Sequence, residues 1–255
     1  MSTIPRLRMF AGPNGSGKST IKDVVETSIP GLLGVYINPD EIEKCIRADG
    51  FLDLLPFKIA VDTEEILSFF SASSLLQQHP DFKVSVSQLY VADRKMHFPD
   101  VEMNSYWASI CADFIRHKLL AVGISFTFET VMSSPDKVAF LQKAQQAGFR
   151  TYLYFVATED PEINVSRVAY RVRTGGHDVS RDKVISRYAR SLDLLAGAIS
   201  FSNRAYLFDN SGSEHVWIAE ITDGEELDMK IEDMPYWFEQ AVWNKLGMND
   251  GNQTL

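Results

Sequence analysis

Cysteine is scarce in this sequence, and its scarcity limits the kinds of site the chain can build. Only Cys45 and Cys111 occur among the 255 residues, without a CxxC pair and without partnering histidines. A disulfide framework or a structural zinc site is therefore not expected, and a reducing compartment fits the composition. We expect each cysteine to serve as a small, buried, apolar residue.

Basic residues and long apolar runs are also in short supply. Lysine and arginine total 25 against 34 acids, which gives a net charge of −9. Nucleic-acid binders are normally basic, so no nucleic acid is expected as a partner. No run approaches the ~18 apolar residues of a membrane span, and residues 1–8 lack a signal peptide's apolar region. We therefore expect a cytoplasmic protein with no membrane partner.

The sequence does contain a complete phosphate-binding motif. Residues 12–19 read GPNGSGKS and match G-x-x-x-x-G-K-[ST], with an apolar stretch before and a helical stretch after. Glycines let the loop backbone turn its N–H groups toward phosphates, and the following helix adds its dipole. We expect Lys18 to reach the β- and γ-phosphates and Ser19 to hold Mg²⁺, with ATP as the nucleotide. The predicted cofactor-binding residues here are Gly12, Pro13, Asn14, Gly15, Ser16, Gly17, Lys18, Ser19 and Thr20.

The alternation of short apolar stretches with helical ones predicts the fold. Strands are expected at 7–11, 34–37, 124–128, 151–157, 205–208 and 215–221. This order predicts an α/β fold of the P-loop NTPase type, a three-layer sandwich with a mainly parallel sheet and helices on both faces. We expect one P-loop kinase domain over residues 1–255. Its insertion, at about 50–104, should hold a half-exposed strand or hairpin at 83–91.

The phosphate loop alone does not specify the reaction. We find no base-reading or switch motif of a GTPase, and no apolar strand ending in the aspartate typical of motor and transporter ATPases. Small-molecule kinases tolerate this absence, because their chemistry needs a base on the acceptor and cations around the transferred phosphoryl group. We predict an ATP-dependent phosphotransferase with an alcohol group as acceptor. An ATPase and a regulatory nucleotide-binding module remain alternatives.

Two acids follow predicted strands. Asp40 comes just after the second strand, where ligands of open α/β sheets bind, and is the predicted catalytic base. The alternatives are Glu41 as the base, or Asp40 as an exposed acid at a helix start. Glu129 follows the strand at 124–128 and, with Thr130, is predicted to bind substrate. Glu129 is otherwise expected to bind Mg²⁺ through water or to pair with a loop cation.

An arginine-rich segment, at about 163–195, stands out in an acidic chain. It is interrupted by the sequence TGGH at 174–177, and its arginines are Arg167, Arg171, Arg173, Arg181, Arg187 and Arg190. A helix, a glycine turn and a second helix carrying arginines are typical of a lid that closes over nucleotide phosphates. The alternative is a solvated helical surface. His177 is expected either to contact the ligand or to hold the turn, and Asn210-Ser211 to flank the adenine.

Together these segments resemble the zeta-toxin family of P-loop kinases. The resemblance rests on AGPNGSGKST, NPDEI, FETVMSSPDK, RVAYRVRTGGHDVSRDKVISRYARSL and YLFDNS, which span about residues 5–212. It implies phosphorylation of a sugar hydroxyl of UDP-N-acetylglucosamine with ATP and Mg²⁺, and an antitoxin protein as a partner. The alternatives are a kinase of another metabolite and a toxin–antitoxin module without transfer activity. It also implies Asp40 as the base and Glu129 as a sugar contact. The implied phosphate-binding arginines are Arg171, or Arg167 or Arg173, and Arg181 or Arg187; Arg171 and Arg187 are the predicted catalytic pair.

Overall fold

The computed structural model describes residues 4–77, 86–174 and 178–247. In chain order, its strands are β1 (Arg6–Ala11), β2 (Val35–Ile37), β3 (Phe51–Asp53), β4 (Tyr90–Ala92), β5 (Lys95–His97), β6 (Phe126–Thr130), β7 (Arg150–Ala157), β8 (Arg204–Asp209), β9 (Val216–Thr222) and β10 (Glu226–Met229). The longer helices are α1 (Lys18–Ser28), α2 (Pro39–Asp49), α3 (Thr63–Ala72), α4 (Ser74–Gln77), α5 (Ser105–Ala121), α6 (Asp136–Gln146), α7 (Pro161–Arg173), α8 (Arg181–Asp193) and α9 (Leu195–Ser200). Short helical turns at Leu55–Phe57 and Tyr236–Phe238, a π-helical segment at Glu239–Trp243 and a turn at Asn244–Leu246 complete the description.

The chain divides into two compact units. The first comprises Met1–Leu33 and Glu129–Leu255, and the second comprises Gly34–Phe128. The predicted insertion at about 50–104 falls within the second unit. The arrangement of residues 1–255 as a single kinase domain stays a prediction.

A mainly parallel sheet forms the framework of the first unit. Its strand order is β10-β9-β8-β7-β1. β7 pairs in parallel with both β1 and β8, whereas β9 and β10 continue the sheet as antiparallel strands. In the second unit, β2 and β6 also pair in parallel, with Ile37 opposite Phe128. The predicted α/β class with a mainly parallel sheet is therefore confirmed.

The buried strands of the first unit fix the position of the phosphate loop. Leu7, Met9 and Phe10 of β1 are fully buried, as expected for parallel strands covered on both faces. Phe10 stacks on Tyr154 of the neighbouring β7, with ring centroids 4.5 Å apart. This packing fixes Ala11, the last residue of β1, directly before the loop that begins at Gly12.

The second unit combines α2 and α5 with a small antiparallel sheet of order β3-β5-β4. The predicted strand at 83–91 is wrong in its bounds: residues 83–85 lie outside the described residues, and the strand begins only at Tyr90. Residues 86–89 form a turn in which Val86 and Leu89 are buried. Two apolar residues three positions apart favour helical geometry over the alternation of a strand. The hairpin itself is β4–β5, with Ala92 opposite Lys95.

A helix cap shifts another predicted strand. The strand expected at 124–128 is β6, Phe126–Thr130, because Ile124 belongs to the end of α5. Gly123 has φ +69°, and the N–H of Ile124 donates to the carbonyl of Leu119 at 3.1 Å. This is the Schellman arrangement that satisfies the last carbonyls of a helix. Because of this shift, Glu129 and Thr130 are the last two residues of β6 instead of following the strand.

The two cysteines differ in environment. Cys111 is fully buried, as predicted, and burial raises the pKa of its thiol. The same prediction is wrong for Cys45, which is exposed. Cys45 lies beside the buried face that Ile42 and Ile46 form on α2. Among the residues that the structure describes, no helix is both long and apolar enough to cross a membrane.

Candidate nucleotide-binding site

The phosphate loop connects β1 to α1 and touches three other segments on its outer side. Its glycines have φ values of +142°, +77° and +96° at Gly12, Gly15 and Gly17. A Cβ on them would lie 2.1 Å from the carbonyl oxygen of Val156, 2.7 Å from that of Asn164 and 2.1 Å from Nδ2 of Asn210, respectively. Real Cβ atoms do not approach neighbours this closely. The glycines are therefore required by the protein's own packing as well as by the open inner side that a phosphate needs.

Lys18 and Ser16 supply the polar groups of the loop. The Lys18 ammonium donates to the carbonyls of Gly12 and Pro13, both at 2.9 Å, so its charge lies across the loop. The Ser16 hydroxyl is buried and has no hydrogen-bond partner among the described residues. An orphaned buried hydroxyl beside a lysine is the environment in which a bound phosphate oxygen completes the hydrogen bonding. The loop therefore fits the phosphates of ATP.

Ser19 lies next to Glu129. The Ser19 hydroxyl donates to Oε2 of Glu129 at 3.2 Å, and the Glu129 side chain is largely buried whereas Ser19 is exposed. A hydroxyl and a carboxylate are hard oxygen donors of the type that Mg²⁺ prefers, and Mg²⁺ at nucleotide sites takes few protein ligands besides phosphates and water. The pair therefore fits the predicted Mg²⁺. Within the described ranges, no cluster of three or more His, Cys, Asp or Glu could hold a metal ion.

Two asparagines support the loop from outside, and only one of them was indicated by the sequence. Nδ2 of Asn164, on α7, donates to the carbonyl of Asn14 at 2.7 Å. Nδ2 of Asn210, just after β8, donates to the carbonyl of Ser16 at 2.8 Å. Asn210 was expected to flank the adenine, and its observed side-chain contact is with the phosphate loop. Asn164 was missed; the available signal was an asparagine within the apolar spacing of a helix.

The arginines of the predicted lid have different partners. Nη1 of Arg187, on α8, donates to Oδ1 of Asn14 in the phosphate loop, with the atoms 3.4 Å apart. Arg181, at the start of α8, is exposed and pairs with Glu162 at the start of α7. The structure thus brings one arginine of this helix to the loop.

The three arginines of α7 also differ in their partners and their exposure. Arg167 donates to the carbonyl oxygens of Asn210 and Gly212, at 2.7 and 3.2 Å, so it holds the segment after β8. Arg171 and Arg173 are exposed, and the Arg173 guanidinium lies 5.7 Å from the ring centroid of Tyr170. The predicted turn at 174–177 includes Gly175, Gly176 and His177, which lie outside the described residues.

The remaining predicted site residues lie at helix starts or at the end of β6. Asp40 is exposed in the first turn of α2, and its backbone N–H donates to Oδ1 of Asn38, the residue that caps the helix. Glu41 is also exposed in that first turn. Thr130 accepts a hydrogen bond from the backbone N–H of Met132 at 3.0 Å, and Thr20 is exposed at the start of α1.

Comparison with known proteins gives one family match. The family model described as zeta toxin matches residues 74–217, which is more than half of the chain. An uncharacterized protein of Haemophilus influenzae is 31% identical over 72 residues, which are 28% of this chain and 51% of that protein. The chain thus spans about half the length of this curated relative.

Solved structures give a likeness of fold. The crystal structure of the AvrRxo1-ORF1:-ORF2 complex has a TM-score of 0.53 at 15% identity, covering 93% of this chain and 63% of that chain. AvrRxo1-ORF1:-ORF2 with ATP has a TM-score of 0.51 at 14% identity, covering 89% of this chain and 60% of that one. At these identities, the likeness is one of fold.

Proposed function

This chain belongs to the zeta toxin family, and on that premise we propose that it is an ATP-dependent kinase. The reaction would transfer the γ-phosphoryl group of ATP to a hydroxyl group of a small molecule. The acceptor class we propose is a nucleotide sugar, with UDP-N-acetylglucosamine as the representative. The observation that carries the proposal is the glycine cradle around residues 12–17, with the Lys18 ammonium across it and the buried, unpartnered Ser16 hydroxyl within the same loop.

The phosphate loop would bind and orient the β- and γ-phosphates. In the described structure, the Lys18 ammonium donates hydrogen bonds to the neutral carbonyls of Gly12 and Pro13. A phosphate is the stronger acceptor for an ammonium, because its negative charge adds a Coulombic attraction that a neutral carbonyl lacks. Lys18 is therefore expected to exchange these carbonyls for phosphate oxygens when ATP binds. This exchange costs little rearrangement, since the ammonium already lies at the loop.

Ser19 and Glu129 would hold Mg²⁺. The Ser19 hydroxyl is suited to direct coordination, and the Glu129 carboxylate, 3.2 Å away, to a direct or water-mediated contact. When bound, Mg²⁺ neutralises charge on the phosphates. This assignment of Glu129 competes with the sugar contact that the family resemblance implies. The hydrogen bond to Ser19 favours the role beside the phosphates.

Asp40 is the proposed general base. Its carboxylate is exposed in the first turn of α2, three residues after the carboxyl end of β2. Ligands of open α/β sheets bind beyond such strand ends. In the proposed step, Asp40 takes the proton of the acceptor hydroxyl, whose oxygen bonds to the γ-phosphorus while the bond to the β–γ bridging oxygen breaks. ADP then leaves with the electron pair of that bond.

Among the arginines, Arg187 is the first candidate to contact the transferred phosphoryl group, because it already reaches Asn14 of the loop. Arg171 and Arg173 are exposed and remain proposed phosphate ligands of the lid. Arg181 would have to exchange its ion pair with Glu162 for phosphate. Arg167 is engaged by two backbone carbonyls, which favours a supporting role over phosphate binding.

A protein partner of the antitoxin type is also proposed. A chain whose fold this protein shares was solved as part of the AvrRxo1-ORF1:-ORF2 complex. Expression of the intact chain and of Lys18→Ala in a bacterial host tests for toxicity. Growth arrest by the intact chain alone would support a toxin. Normal growth with both chains would argue against an antitoxin partner.

The activity is tested by measuring ADP release from the purified protein. The protein is incubated with Mg-ATP, with and without UDP-N-acetylglucosamine, and the phosphorylated product is sought by mass spectrometry. Strong stimulation by the sugar nucleotide with formation of its phosphate ester supports the proposal. ADP release that is the same with and without UDP-N-acetylglucosamine supports an ATPase, and nucleotide binding without ADP release supports a regulatory module. Either of the last two results would refute UDP-N-acetylglucosamine as the acceptor.

A further inference from the structure

The outer side of the phosphate loop is held at two carbonyl groups, those of Asn14 and Ser16. We propose that Asn164 and Asn210 are positioning residues of this loop, which orient its N–H groups for phosphate binding. The inference rests on the proposed nucleotide-binding function. Its basis is the pair of amide hydrogen bonds to Asn14 and Ser16, at 2.7 and 2.8 Å.

The geometry of the peptide bond converts these contacts into a direction for the loop. A peptide unit is planar and trans, so its C=O and its N–H point to opposite sides. Holding the carbonyl of Asn14 outward therefore turns the N–H of Gly15 inward. Holding the carbonyl of Ser16 outward does the same for the N–H of Gly17. The two asparagines thus fix the orientation of two N–H groups in the part of the motif that cradles phosphates.

Asn164 is itself rigidly placed. Its side chain is fully buried, and its Oδ1 accepts a hydrogen bond from the Thr158 hydroxyl, which leaves Nδ2 facing the loop. The carbonyl of Thr158 in turn accepts from the Tyr188 hydroxyl at 2.6 Å. The hydrogen-bond network, with a donor at Oδ1 and an acceptor at Nδ2, sets the orientation of the amide. Tyr188 lies on α8, so the same network joins the helix that carries Arg187 to the support of the loop.

Asn210 is held at three points. Its backbone N–H donates to the carbonyl of Ala157 at 2.9 Å, its own carbonyl accepts from Arg167, and its side chain donates to Ser16. The side chain also lies against Gly17, where a Cβ would approach Nδ2 to 2.1 Å. Because the groups that hold the loop are already anchored, the loop loses less conformational entropy when phosphate binds.

A structural role and a positioning role predict different effects on the melting temperature and on the affinity for nucleotide. A structural asparagine stabilises the fold, and its loss lowers the melting temperature without changing the affinity of the folded protein for nucleotide. A positioning asparagine changes that affinity directly. The chain offers a matched control in Asn203, which precedes β8 as Asn210 follows it. Asn203 is also half-buried and donates through Nδ2, at 2.9 Å, to Asp223.

The test compares Asn210→Ala, Asn164→Ala and Asn203→Ala in the full chain. Binding of the non-hydrolysable analogue AMP-PNP with Mg²⁺ is measured by calorimetry at a temperature where each variant is folded, and each melting temperature is recorded. We expect Asn210→Ala and Asn164→Ala to raise the Kd about tenfold, which corresponds to the loss of one well-placed hydrogen bond. Asn203→Ala should lower the melting temperature comparably and leave the Kd within about twofold of the intact chain.

Each outcome of this comparison either supports or overturns the positioning role of the asparagines. Unchanged affinity in Asn210→Ala overturns the inference for that residue even if stability falls, and equal loss in Asn203→Ala shows a general effect of weakened packing. Because Asn164 is fully buried, its alanine variant can fail to fold, and the half-buried Asn210 then carries the test. Failure of the intact chain to bind Mg-AMP-PNP would instead refute the proposed function, and the inference with it.

With turnover measurable, the steady-state parameters give a second readout. A positioning role predicts a higher KM for ATP, with the KM for the acceptor unchanged. An acceptor KM that rises with the ATP KM would indicate a wider distortion and would contradict the assignment.

Discussion

Replacing Gly15 with alanine tests how the phosphate loop is packed, because the chain contains another glycine, Gly31, with nearly the same φ and open surroundings. Gly15 has φ +77° and Gly31 has φ +78°. A Cβ at Gly15 would lie 2.7 Å from the carbonyl oxygen of Asn164 and 3.2 Å from its Cα, whereas nothing lies within 4 Å of a Cβ at Gly31. The two alanine variants therefore share the unfavourable positive φ and differ in the contact.

The magnitudes follow from these distances. The left-handed conformation costs an L-residue about 1–2 kcal/mol relative to its preferred regions. Close carbon–oxygen contacts in proteins lie at about 3.3–3.6 Å, so a Cβ at Gly15 would be too close by more than half an ångström. The neighbouring atom is backbone and cannot rotate away, and overpacking of this kind costs about 1–3 kcal/mol. We expect a loss of about 2–5 kcal/mol for Gly15→Ala and about 1–2 kcal/mol for Gly31→Ala.

Urea unfolding measures the free energy of unfolding of both variants, and calorimetry measures their affinity for Mg-AMP-PNP. Gly15→Ala can relieve the contact only by moving the loop away from Asn164, so the affinity should fall together with the stability. Gly31→Ala should keep the affinity of the intact chain, because nothing lies within 4 Å of the added Cβ and the phosphate loop is therefore not displaced. Equal stability and equal affinity in the two variants would show that the Asn164 contact does not constrain the loop.

Three substitutions test the proposed chemistry. Asp40→Asn should reduce transfer by about 10²–10⁴-fold with little change in ATP affinity, because it removes the proposed base; retained transfer in single-turnover assays would exclude Asp40. Glu129→Gln should raise the Mg²⁺ concentration needed for half-maximal velocity by about 10–100-fold; an unchanged Mg²⁺ titration with a higher acceptor KM would assign Glu129 to the substrate instead. Arg187→Ala should lower kcat/KM for ATP about tenfold or more, since it removes a charged contact at the loop. Arg190→Ala, an exposed arginine of the same helix, is the control, and equal effects in the two variants would contradict a specific role for Arg187.

The sequence was sufficient to predict the phosphate loop because every part of that prediction is local. The strand that ends at Ala11, the glycine spacing and the helix that begins at Lys18 are adjacent in the chain, and their geometry depends on short-range backbone preferences. The mainly parallel sheet was predictable for a related reason. Buried parallel strands have continuous apolar runs that are visible without knowledge of their partners.

The support of the loop could not be predicted in this way, because it depends on residues far apart in sequence. Asn164 and Asn14 are separated by 150 positions, and Asn210 and Ser16 by 194. Nothing in the neighbourhood of either asparagine in the sequence indicates a carbonyl partner. An asparagine on a helix is more often a solvated or capping residue. The place of Asn164 in the apolar spacing of α7 indicates burial, but its carbonyl partner becomes visible only when the helix is placed against the loop.

The roles of the individual arginines of α7 could not be predicted from the sequence either. Arg167, Arg171 and Arg173 share one helix, and only the family resemblance, not their spacing, ranked Arg171 first among them as a phosphate ligand. The structure separates them, because Arg167 donates to two backbone carbonyls whereas the other two side chains are exposed. The difference arises from the position of the segment after β8, which ends beside one turn of α7. Charge clustering in a sequence therefore indicates a basic surface without assigning each member a role.

The contacts on the outer side of the loop also link nucleotide binding to folding. Val156 of β7, Asn164 of α7 and Asn210 after β8 each meet a different glycine of the loop. The loop can therefore reach its binding conformation only when these three segments are assembled, and an unfolded chain has no such site. A nucleotide that binds only the assembled loop must stabilise the fold, by about 2.7 kcal/mol at a free concentration of one hundred times its Kd. A variant whose loop no longer contacts Asn164 should lose part of this stabilisation at the same nucleotide concentration, because its Kd is higher, even where its fold without nucleotide is intact.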